Sequence, residues 1–85
     1  MRRGPEHFGE QDLQLIHVAK KLEQALRVEQ LLTEAGLDYV VEADQYASGA
    51  IFRRARVGAF FYVAPDSDAT AREVLRRGGV APAGT

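Results

Sequence analysis

The sequence predicts an α+β fold, a two-layer sandwich, and three observations predict it. Runs of apolar, β-branched and aromatic residues at Leu13 to Val18, Tyr39 to Ala43 and Ala59 to Val63 carry the patterning of strands. Lys21 to Ala35 and the stretch from Asp66 to Arg77 instead repeat their apolar residues at three- and four-residue steps. Their order is β-α-β-β-α, a ferredoxin-like sandwich with the last strand missing or vestigial.

The first strand reads Leu13, Leu15, Ile16 and Val18, interrupted only by Gln14 and His17, so at least one of its faces is covered. In the first helix Leu22, Ala25, Leu26, Val28, Leu32 and Ala35 define the expected inner face, and Gly36 ends it in a left-handed conformation. Glu23 and Arg27 stand four apart in the order that favours an ion pair. After the second strand, residues 44 to 58 are too long for a tight turn. Ile51, Arg53, Ala55 and Val57 alternate there with Phe52, Arg54 and Arg56, which supports an extension of the third strand over a free loop. Pro65 stops that strand, Asp66 is placed to cap the second helix, and Ala71, Val74 and Leu75 form its inner face. Arg76 and Arg77 suit its C-terminal end, before Gly78 and Gly79.

The flanks read as loose. Residues 1–11 hold Gly4, Pro5 and Gly9 without a period, predicting a flexible leader that touches down through Phe8. Residues 80–85 contain Pro82 and Gly84, too broken for a fourth strand, and predict a flexible tail. The single domain therefore spans 12–79. Its first strand would be left with a bare apolar edge, which predicts self-association by edge pairing or through an open sheet face bearing Phe61 and Tyr39.

Composition excludes several functions. Eighty-five residues make one domain with a slender core, burying about 60 to 65% of the unfolded surface. Without cysteine there are no disulfides, thiolate nucleophiles or zinc-thiolate sites, and a cytoplasmic location is the expectation. A net charge of −1 disfavours nucleic acid and anionic membranes as partners, and no apolar run approaches the length of a membrane helix. The charge is unevenly spread: Asp12 to Asp44 holds seven acids and three bases, whereas Gln45 to Pro65 holds Arg53, Arg54 and Arg56 and no acid.

Two stretches carry a resemblance: Val18-Ala19-Lys20-Lys21-Leu22-Glu23-Gln24-Ala25 running on to Leu31-Leu32-Thr33-Glu34-Ala35-Gly36-Leu37, and Phe61-Tyr62-Val63-Ala64-Pro65-Asp66 leading to Ala71-Arg72-Glu73-Val74-Leu75. Together they resemble a small bacterial family of signal-transducing proteins, a ferredoxin-like domain of unknown function. The resemblance implies regulation or interaction, and it carries over no catalytic residue. The chain departs from the family's pattern in its long arginine-bearing segment.

No acid and base pair or activated nucleophile can be assembled, so an enzyme is not expected. His17, the one histidine of the patterned region, has no second ligand or carboxylate at a suggestive spacing, and Asp66, Ser67 and Asp68 are explained by helix capping, so neither metal nor cofactor is expected. The remaining constellation is Arg53, Arg54 and Arg56 with Phe52 and Tyr46: planar donor forks and aromatic faces suited to a protein partner or an anion. Against this stands pairing of the arginines with Glu42 and Asp44 across the hairpin. The sequence thus predicts a non-enzymatic regulatory or protein-interaction module that forms a homo-oligomer. The alternatives are an anion or nucleotide sensor using residues 45–58 or, ranked below it, a nucleic-acid binder.

Overall fold

The computed structural model describes residues 1–48 and 54–83, with the backbone alone at 46–48 and 54–55. Strand β1 (Gln14–Ala19) leads to helix α1 (Leu22–Glu34), strands β2 (Val40–Ser48) and β3 (Arg54–Val63), and helix α2 (Asp68–Arg77). Short 3-10 turns at Pro5–Phe8 and Pro65–Ser67 precede β1 and α2. The described strands form one antiparallel sheet in the order β1-β3-β2. This α+β arrangement places β1 and β2 parallel to each other with β3 between them.

Both helices lie on one face of the sheet. Ile16, Ala19, Phe61 and Val63 meet Val28 and Leu32 of α1 and Ala71 and Leu75 of α2, all at 2% exposure or less. Each of the larger side chains contributes about 1.5–3 kcal/mol by leaving water. Tyr39 joins this cluster, its ring centroid 6.0 Å from that of Phe61 and its hydroxyl donating to Glu29 at 3.3 Å. Phe61 and Tyr39 are thus core residues and do not form the open face expected of them. Strand parity is why: the residues of β3 that turn away from the helices are Phe60 and Tyr62.

A bulge sharpens this point. Leu15 pairs with Tyr62, but the next pair is His17 with Phe61, so Ile16 is an inserted residue. The insertion reverses the parity of β1. His17 and Ala19 turn to the helix side, and Val18 turns to the open face opposite Phe60.

Helix α1 is rotated from its expected setting. Val28 and Leu32 are buried and Ala25 and Leu31 pack beside them, while Leu22 is 76% and Leu26 55% exposed. At 100° per residue Leu26 lies about 160° round the helix from Val28, and Leu22 about 120°, too far to reach the same core. Gly36 takes φ +73°, as its position requires. The cap of α2 also differs: Asp66 lies inside the Pro65–Ser67 turn, and neither it nor Ser67 caps the helix through its side chain. Asp68 instead binds Arg72 at 3.0 Å.

Both flanks are docked where the sequence predicted flexible segments. In the leader, Arg3 N–H donates to Tyr39 O at 2.7 Å and Tyr39 N–H to Met1 O at 3.1 Å, a parallel bridge at the start of β2. Arg3 and His7 both reach Asp38, at 3.1 and 3.4 Å, and Phe8 is buried against Val40 and Ala64. In the tail, Ala83 N–H donates to Ile16 O at 2.7 Å and His17 Nδ1 meets Ala81 O at 3.1 Å. Ala81 beside His17 and Ala83 beside Ile16 make the tail antiparallel to β1. Arg72 clamps it, donating to Ala83 O and, at 3.0 Å, to Leu15 O. The edge of β1 expected to be bare is therefore occupied from within the chain, and the case for obligatory edge pairing falls. A proline removes one donor from a strand but leaves its neighbours free to pair.

Candidate functional site

The candidate site is the face of the sheet turned away from the helices. Leu15 and Val18 of β1, Phe60 and Tyr62 of β3 and Val40 of β2 share it by register. Leu15, Val18, Phe60 and Tyr62 are all half-buried, on the face away from both helices. The leader closes only one end, where Phe8, Val40 and Ala64 pack with Leu13 and Tyr62. Burial, and then the nearby Glu42 and Asp44, push the Tyr62 phenol above its ordinary value of 10.0.

Beyond the end of β1, β2 and β3 continue as a two-stranded arm. Asp44 pairs with Gly58, Tyr46 with Arg56 and Ser48 with Arg54. The extension of the third strand thus holds from Arg54, and β2 lengthens with it to Ser48. Arg54 and Arg56 are two apart, so they occupy one face, the same one as Phe60 and Tyr62. Arg56 is exposed, and among the described residues no salt bridge joins it to Glu42 or Asp44. Tyr46 stands directly across from Arg56 in the register. Phe52 and Arg53 lie outside the described residues, and of Tyr46 and Arg54 the backbone alone is described.

The face therefore has an apolar centre at Leu15, Val18 and Phe60, an acidic flank at Glu42 and Asp44 and a basic end at Arg54 and Arg56. Sequence reasoning found the arginines but missed Phe60 as the face's centre. The signal that could have found it was the choice of parity in Phe60-Phe61-Tyr62, where one aromatic must be buried and its neighbours turned outward. On the helix side, Leu22 and Ala25 border a groove of about 220 Å³ with Ala43, Val57 and Ala59. A larger cleft of about 490 Å³ lies at the edge of β1, between His17, the start of α1 and the segment after α2. Among the described residues no helix is long and apolar enough to cross a membrane. No protein-family model, curated protein or solved structure matches the chain.

Proposed function

We propose that this chain is a non-enzymatic interaction module of ferredoxin-like type that pairs with a second copy of itself through the open face of its sheet. The reading rests on one observation: Leu15, Val18 and Phe60 form an apolar centre on a face that no helix covers. The β1-β3-β2 order and the tail antiparallel to β1 support the ferredoxin-like description, the tail standing where a short fourth strand would run. A second copy is the favoured occupant because the face is complementary to itself. It bears acids at Glu42 and Asp44 and bases at Arg54 and Arg56, and a two-fold rotation sets the acidic flank of one copy against the basic arm of the other. The same acids beside the arginines disfavour nucleic acid and a free anion. A regulatory role, of the kind the resemblance implies, then acts by changing the partner of this face.

Sedimentation velocity at tens of micromolar tests the reading, since weak self-association has a Kd in that range. The expected species is a dimer, converted to a monomer by Phe60→Lys, which sets an ammonium opposite Glu42 and leaves the circular dichroism of the folded chain unchanged. A strict monomer for the parent chain, or a dimer that survives Phe60→Lys, overturns it.

A further inference from the structure

The cleft at the edge of β1 is independent of the open face, lying on the helix side of the sheet, and four observations give it a ligand chemistry. First, the bulge at Ile16 turns His17 into it. The His17 Nδ1 lies 3.1 Å from Ala81 O, and a carbonyl can only accept, so Nδ1 carries the proton. Whenever the ring is neutral, Nε2 is then an acceptor, in an orientation fixed by the tail. Second, Glu23 and Arg27 line the same cleft one helical turn apart, yet they do not form the ion pair that their spacing favours. The guanidinium of Arg27 makes one long bond, to Gln30 at 3.5 Å, and the Glu23 carboxylate has no hydrogen bond among the described residues. Third, the lining holds one base, one acid and one imidazole, Arg27, Glu23 and His17, so both signs of charge face the same cleft. Fourth, a volume of about 490 Å³ is that of a small-molecule site.

We propose that this cleft binds a small zwitterionic amino carboxylate, with its carboxylate on Arg27, its ammonium on Glu23 and His17 Nε2 accepting an ammonium N–H. A simple anion satisfies Arg27 but is repelled by Glu23, and a simple cation meets the converse penalty; only a ligand with both charges uses both groups. Because Ala81 fixes the His17 ring, the site is complete only with the tail docked on β1, and ligand binding holds the tail there.

The test is an amide and imidazole NMR titration of the full chain with glycine, L-serine and L-glutamate, each to about 20 mM, against acetate and methylammonium as controls carrying one charge. Saturable shifts at His17, Gly79, Val80 and Ala81 are expected with at least one amino acid. Glu23→Gln and Arg27→Gln, both at exposed positions that leave the fold intact, should each weaken binding about tenfold. Absence of saturable shifts with all three amino acids overturns the proposal. So does an equal response to acetate that Glu23→Gln leaves unchanged, which would make the cleft a plain anion site. Neither result touches the sheet-face reading, since sedimentation reads that face separately.

Discussion

Arg72 is the side chain whose removal the structure makes most informative. It is only 18% exposed and ties three elements together: its Nε donates to both carboxylate oxygens of Asp68, at 3.0 and 3.1 Å, and its terminal nitrogens donate to Leu15 O of β1 and Ala83 O of the tail. Arg72→Met keeps the apolar stem and deletes every donor. The pair with Asp68, an i,i+4 contact on a partly exposed helix, accounts for about 0.3–0.5 kcal/mol. Charge-assisted bonds to carbonyls are worth about 1.5–3 kcal/mol each when shielded, and the Ala83 carbonyl regains water once the tail lifts, so the lower end of the range applies. The expected loss is about 3–4 kcal/mol, a large part of the roughly 4–13 kcal/mol available to a domain of this size. Urea unfolding measures the loss, and hydrogen exchange at the Ala83 amide reads the release of the tail from Ile16. Asp68→Asn should cost less than about 1 kcal/mol and leave Ala83 protected. A loss below about 0.5 kcal/mol in Arg72→Met with Ala83 still protected would refute the clamp.

Two further perturbations probe the packing of α2 and the docking of the leader. Gly78 lies at φ −82°, which any residue tolerates, but a Cβ there would stand 2.5 Å from Leu31 Cδ1, so Gly78→Ala should turn the Leu31 side chain aside at a cost of about 1 kcal/mol or less, and the cost should vanish in the double variant with Leu31→Ala, as measured by thermal unfolding. The Asp38 carboxyl is held below its ordinary 3.8, first by its hydrogen bond from Arg3, which together with the charges of Arg3, the N-terminus and His7 prevails over the opposing effect of burial. Its folded pKa is thus depressed, so its contribution to holding the leader is fully present above about pH 4 and is lost as pH falls through the lowered pKa. A carboxyl NMR titration should show that lowered value return to ordinary in Arg3→Gln, with faster exchange at the Arg3 amide.

Much of this molecule is legible in its residues. The order β-α-β-β-α follows from the change of apolar period at Lys21, at Tyr39 and after Pro65, because period 2 and period 3.6 are imposed by the backbone itself. The left-handed turn at Gly36 and the extended run through Arg54 and Arg56 are equally local, one a matter of the missing Cβ and the other of alternation. Tertiary structure decided which side each pattern faces. Phe60, Phe61 and Tyr62 are similar in size and apolarity, so alternation alone allows either parity, and only packing on Val28, Leu32 and Leu75 buries Phe61 and sends Phe60 outward. The single inserted residue at Ile16 inverted β1 in the same way, delivering His17 to a cleft and Val18 to the open face. The docking of the flanks was not legible because their anchors, Asp38 for the leader and Arg72 for the tail, are distant in sequence: segments poor in apolar residues are held by hydrogen bonds and ion pairs that no local pattern records.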